Sequence, residues 1–217
     1  APTGGTNMSL NDAVSRGLEI GTQQARKRAA SRDVYESAGS FAGYLVMEGD
    51  SWFDYPVWDE ITEDLREKYG YKTRSSARQG DTAQEIAYLP KQINDFEALF
   101  RDLADDKHVA RAILLSCGGN DVMDALSALM NPKGARAAGD PIWHPAVVDA
   151  VLREHIPFAI SALIGRALAF SERYFQQKRP ILIHGYGEPV PDGRGYKLVK
   201  TLSGPWMKPV FVRKGYV

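Results

Sequence analysis

Apolar residues along the chain fall into two rhythms, a helical one and a set of short continuous runs. Leu10, Val14, Leu18 and Ile20 share a helical spacing and lead into Ala- and Arg-rich sequence, predicting a helix over Leu10 to about Ala30 with Asn7 or Asn11 as its cap. The polar stretch Ser31 to Ser40 then separates a helical extension (1–38) from the main domain (39–217). Tyr44-Leu45-Val46-Met47 stops at Gly49-Asp50-Ser51, which predicts a buried strand entering a turn. Trp58, Ile61 and Leu65 predict a helix closed by Gly70, and Tyr71 to Ala77 predicts a second strand. Asp81 or Thr82 can cap the next helix, which Pro90 interrupts, and Ile93, Phe96, Phe100 and Leu103 mark another.

The strongest strand signal is Ala112-Ile113-Leu114-Leu115-Ser116, running into Cys117-Gly118-Gly119-Asn120-Asp121. A helix near Val122–Met130 follows, then a turn-rich insert at Asn131–Pro141. A long helical region from about Pro145 to Gln177 should kink at Pro157. Ile181-Leu182-Ile183 is the fourth strand, ending at His184-Gly185, and the sequence from Gly185 to Val217 predicts no further helix or strand. Strands alternating with helices predict right-handed crossovers and a parallel sheet covered on both faces, an α/β fold. In such a sheet ligands bind at the carboxyl ends of the strands.

Composition narrows the function classes. The 217 residues suit one large domain with an appendage, and 27 basic residues against 27 acidic ones give no global field for nucleic acid or an anionic membrane. No apolar run approaches the ~20 residues of a membrane-spanning helix. One cysteine forms no internal disulfide, and no signal peptide is visible at the start, so the compartment is unreadable. From Lys178 onward eight basic residues face two acidic ones, which reads as a solvated basic loop. Arg26-Lys27-Arg28 reads as an exposed helix face.

Three strands end in reactive residue types: Gly49-Asp50-Ser51, Gly118-Gly119-Asn120-Asp121 and His184-Gly185-Tyr186-Gly187. A serine in Gly49-Asp50-Ser51-Trp52 can sit on a tight turn with its hydroxyl toward the crevice, although such a tripeptide is also an ordinary turn. In Gly118-Gly119-Asn120-Asp121 the glycines admit close backbone approach and the Asn120 amide can aim at an oxyanion; a glycine turn with an Asn cap accounts for the block equally well. Between them, Gly80 follows the second strand, and its N–H is a possible further donor.

Taken together, Gly49-Asp50-Ser51, Gly80 and Gly119-Asn120-Asp121, in this order and each after a strand, resemble the first three blocks of the SGNH (GDSL-type) hydrolases. The resemblance spans roughly Gly43 to Gly185. It implies a three-layer α/β/α flavodoxin-like sandwich, no cofactor and no metal, and hydrolysis of carboxylic esters through an acyl-enzyme. Ser51 would be the nucleophile; the Ser51 N–H, the Gly80 N–H and the Asn120 side chain would form the oxyanion hole. Asp50, Trp52 and Gly119 are expected beside a small-molecule, glycan or lipid ester.

A serine hydroxyl needs a base, and the resemblance implies a histidine in an Asp-x-x-His block after a fifth strand. No histidine follows His184 here, so the chain is expected to lack that block, with the remaining C-terminal part of the polypeptide supplying it. The alternative is a ligand-binding module that keeps the crevice without the chemistry. His184 ends a strand on the correct edge, whereas Asp140-Pro141-Ile142-Trp143-His144 is one residue too long and precedes the fourth strand. Asp105-Asp106-Lys107-His108 has the spacing but sits at a helix end, and His155 lies in the long helix as a structural residue. No histidine pair has metal-ligand spacing. Cys117 reads as a small buried residue under its turn, Trp52 and Tyr55 as packing or pocket residues, and Glu188 to Gly195 as a substrate-covering loop or a surface excursion.

Overall fold

The computed structural model describes residues 41–54, 61–187 and 207–216. The helix expected over Leu10–Ala30, the residues Tyr55 and Trp58, and the segment Glu188 to Gly195 lie outside them.

Strand β1 (Gly43–Gly49) is buried along its whole length, as its unbroken apolar run requires of a central parallel strand. Helix α1 (Ile61–Glu67) leads to β2 (Tyr71–Ser75). Thr82 then opens α2 (Ala83–Tyr88) with a capping box: its hydroxyl accepts from the Glu85 N–H while the Glu85 carboxylate accepts from the Thr82 N–H. Pro90 ends that helix and begins α3 (Pro90–Asp105), where its missing N–H is not needed. Strand β3 (Ala110–Ser116), helix α4 (Gly119–Leu129) and the short α5 (Pro145–Val148) follow.

The long helical region is not uniform. Asp149–His155 is π-helical and α6 (Ile156–Phe175) begins immediately after it, with Pro157 in its first turn. Proline lacks the N–H that the carbonyl four residues earlier would bond, so the ladder before it is widened to i→i+5 bonds, and the Ile156 N–H reaches the Val151 carbonyl. The effect expected at Pro157 thus takes the form of a π segment. Strand β4 (Ile181–Ile183) comes next. Helix α7 (Lys208–Arg213) corrects the expectation of no further element after Gly185. It is too short to hold by propensity, and Val210 stabilises it by packing with Leu126 and Met130.

The four strands form one all-parallel sheet in the order β2-β1-β3-β4. Leu45 lies opposite Thr73 of β2 and Met47 opposite Leu114 of β3, while Leu115 lies opposite Ile183 of β4. Alternation along β1 splits the core. Tyr44 and Val46 join Phe96, Phe100 and Leu103 of α3 and Leu163 and Phe170 of α6 on one face. Leu45 and Met47 join Phe53, Ala112 and Leu65 of α1 on the other. Helices therefore cover both faces, as right-handed crossovers require once the chain moves one way from β1 to β2 and the other way from β2 to β3. That reversal leaves a switch point between β1 and β3, the position at the carboxyl ends of the strands where sheets of this kind bind ligands. No described helix is long and apolar enough to cross a membrane.

Candidate active site

The turn after β1 and the turn after β3 flank this switch point, and hydrogen bonds join them to the loop after β2. The Asp50 N–H donates to the Ser116 carbonyl at 3.0 Å, and the Arg78 N–H donates to the Gly49 carbonyl at 3.0 Å. The Asn120 side-chain amide donates to the Asp81 carbonyl at 2.9 Å. Asp121 reaches the same loop, accepting from the Ala83 N–H at 2.7 Å and the Gln84 N–H at 3.4 Å. The first two helical N–H groups of α2 are thus capped from the first turn of another helix, α4, a charge-assisted use of the orphan donors. Arg78 also pairs with Asp95, which Lys91 reaches at 2.7 Å. The Lys91 hydrogen bond is the largest influence holding the Asp95 carboxyl below its ordinary range.

Gly49 permits the first contact. A Cβ there would sit 2.3 Å from the Ser116 carbonyl oxygen, a backbone atom that cannot yield without moving β3. The Asp50 carbonyl then accepts from the Phe53 N–H, closing the turn that carries Ser51.

Ser51 is half-buried on this turn, and its hydroxyl has no hydrogen-bond partner among the described residues. The Ser51 N–H and the Gly80 N–H also have no acceptor among them. Gly80 is exposed, with open space where a side chain would stand. The Asn120 amide carries two hydrogens and the Asp81 carbonyl takes one, which leaves the second for a ligand. Three unsatisfied donors therefore lie on turns that hydrogen-bond to one another.

The residues expected beside a substrate are placed differently from one another. Asp50 is 2% exposed and its carboxylate turns into the fold, where it accepts from Ser116, Tyr186 and the Trp52 N–H. Trp52 is 48% exposed, with its ring edge-on to His184 at 5.2 Å between centroids. At Gly119 it is the Tyr186 ring that makes the close approach: a Cβ would meet it at 2.7 Å.

Buried ionisable groups surround the turns. Burial raises the Glu48 carboxyl to about 7, against the opposing effect of hydrogen bonds from the Ser76 hydroxyl and the Gly49 N–H. Burial also raises the Asp81 carboxyl, with the Gln92 amide opposing. The Cys117 thiol is pushed up to about 12, chiefly by burial, which suits the inert packing residue expected there. The Tyr186 hydroxyl is raised by burial and by its hydrogen bond to Asp50.

None of the four histidines hydrogen-bonds to Ser51. His184 Nε2 lies 2.7 Å from the Ser116 hydroxyl, and His155 Nδ1 lies 2.9 Å from the Gln84 amide at the start of α2. His108 stacks on Tyr44 at the opposite end of the sheet, 4.6 Å between centroids. His144 precedes α5. No group of three or more potential metal ligands occurs among the described residues.

The sequence assigned no role to Glu48, Ser116, Tyr186 or the link through Asp121. Only Tyr186 carried a signal, since it follows a strand in His-Gly-Tyr-Gly. No family model matches the chain, and no curated protein matches it.

Proposed function

We propose that the protein is a serine hydrolase of carboxylic esters, with an SGNH-type three-layer α/β/α arrangement, in which Ser51 attacks the ester carbonyl. One observation carries the reading. The Ser51 N–H, the Gly80 N–H and one hydrogen of the Asn120 amide all lack an acceptor among the described residues, on turns tied to one another at the switch point. Donors held in place before the reaction stabilise the charge that develops on a carbonyl oxygen, and deleting one costs ~3–4 kcal/mol of barrier in other enzymes. Collapse of the tetrahedral adduct expels the alcohol and leaves an acyl group on Ser51, which water then releases as the acid.

Asp81 and Asp121 serve this scheme as scaffolding. Through them the Asn120 turn is fixed to the Gly80 loop before any substrate arrives. The test is hydrolysis of p-nitrophenyl acetate. Asn120→Ala is expected to lower turnover by about a hundredfold or more, and Ser51→Ala to abolish it. Undiminished turnover in Ser51→Ala would remove the proposed nucleophile.

A second reading has its own support: none of the four histidines bonds to Ser51, so the same crevice suits a module that binds an ester or related small molecule without cleaving it. A fluorophosphonate separates the two, because a serine without a base reacts no faster than an ordinary alcohol. Covalent labelling of Ser51 supports the hydrolase; a saturable ligand without labelling supports the module.

A further inference from the structure

Beside the three turns stands a cluster that the proposed chemistry does not use: Asp50, Ser116, His184 and Tyr186, drawn from the ends of β1, β3 and β4. Ser116 is 0% exposed, which excludes it as a nucleophile toward a substrate in the crevice. Its hydroxyl donates to Asp50 Oδ1 at 2.5 Å. The other carboxylate oxygen, Oδ2, accepts from the Tyr186 hydroxyl, and Oδ1 accepts in addition from the Trp52 N–H at 3.2 Å. With three donors aimed at it, the Asp50 carboxylate is an acceptor on every side. A hydroxyl has a single hydrogen, and that of Ser116 is committed to Asp50. His184 Nε2, at 2.7 Å from the same oxygen, meets it as an N–H donor when that hydrogen points to Asp50, while Nδ1 faces a second acceptor, the Gly185 carbonyl, at 3.1 Å. The direction of the chain follows, from the His184 N–H to Ser116 to Asp50, with the Tyr186 hydroxyl, itself beside Ser116, donating to the other carboxylate oxygen.

We infer that these four side chains form a directional latch that fixes the Ser51 turn, making Ser116, His184 and Tyr186 positioning residues acting through Asp50. The latch is aimed at the turn from both directions. Asp50 holds the backbone of Trp52 with its carboxylate and that of Phe53 with its carbonyl, so Ser51 lies between anchored neighbours. The rings of His184 and Tyr186 lie 5.3 Å apart and both approach Trp52, at 5.2 and 6.2 Å, which packs the strand-end segment against the same turn. Tyr186 also closes over Gly119, so the latch spans the turns after β1 and β3. Both ring nitrogens of His184 face other groups, Nε2 the Ser116 hydroxyl and Nδ1 the Gly185 carbonyl, and neither is directed at Ser51.

The functional consequence rests on Ser51 being the nucleophile, and a two-part experiment keeps the claims apart. Ser116→Ala, Tyr186→Phe and the double variant are compared with wild type for fluorophosphonate labelling rate at Ser51 and for the unfolding equilibrium constant in urea. Each single variant is expected to lower the labelling rate by about tenfold, and the double variant to fall no further than the worse single, because both act through one carboxylate. The unfolding constants should show the same shortfall from additivity. Independent, additive losses in the unfolding constants would overturn the latch. A shortfall in the unfolding constants, with wild-type Ser51 inert, would retain the latch and reject the nucleophile. Nitrogen-15 spectra supply the third readout: a slowly exchanging Nε2–H on His184 that is lost in Ser116→Ala is expected, and a lone pair at Nε2 in wild type would overturn the assignment. Tyr186→Phe removes a single oxygen from a residue that is 42% exposed as a whole, so it reports even where Ser116→Ala fails to fold.

Discussion

At the scale of single residues the most consequential group is a buried carboxylic acid. Glu48 is 1% exposed, and its carboxyl is raised from 4.5 to about 7 in the folded protein. The unfolded chain gives up that proton first, so between about pH 4.5 and 7 the folded state binds more protons than the unfolded one. Stability is then fully present below the lower value and falls as pH rises through the window. By linkage the loss amounts to about 3 kcal/mol above pH 7. Glutamine can accept from the Gly49 N–H and donate to the Ser76 oxygen without a charge. Urea unfolding from pH 5 to pH 8 is therefore expected to show Glu48→Gln gaining on wild type as pH rises; a constant difference would contradict it.

This residue was silent in the sequence for a physical reason. Glu48 ends an apolar strand beside a glycine, where a charged residue ordinarily marks the end of burial. Ser51, Gly80 and Asn120 were legible because their residue types and order carry chemistry in themselves. Ser116 was not, and Tyr186 only as part of a strand-end motif, since their roles depend on Asp50, 66 and 136 positions away in the chain.

At the scale of elements, local rules placed most boundaries. The Thr82 cap, the start of α3 at Pro90 and the run of β3 into its glycine turn all follow from short-range preferences. Tertiary contact decided the rest. Helix α7 exists because Val210 finds Leu126 and Met130, and no periodicity in six residues announces that. The cap that α2 receives from Asp121 is likewise invisible locally, being a contact across 38 positions. It predicts a linked pair of effects. Asp121→Ala should cost about 2 kcal/mol of stability, the range for hydrogen bonds to a charged group, and should also reduce ester hydrolysis by loosening the Asn120 turn. An unchanged urea midpoint with unchanged slope would show that the contact contributes nothing.

At the scale of the molecule, strand order is what turns separated motifs into one site. The sequence pattern predicted parallel strands with covering helices, and the sheet is parallel in the order β2-β1-β3-β4. Position in that order, which no local pattern encodes, sets β1 and β3 side by side, so Gly49 and Ser116 can touch and their turns can share a crevice. Zero net charge suits the proposed substrate, since a neutral ester would need no long-range steering.

The central claim is that three turns converge on one tetrahedral adduct, and a crystal structure of the protein after reaction with a fluorophosphonate tests it most directly. The account predicts phosphorus bonded to Ser51 Oγ, with its oxygen accepting from the N–H of Ser51, the N–H of Gly80 and the amide of Asn120. An adduct on another residue, no adduct at all, or a phosphonate oxygen turned away from Asn120 into solvent would contradict it.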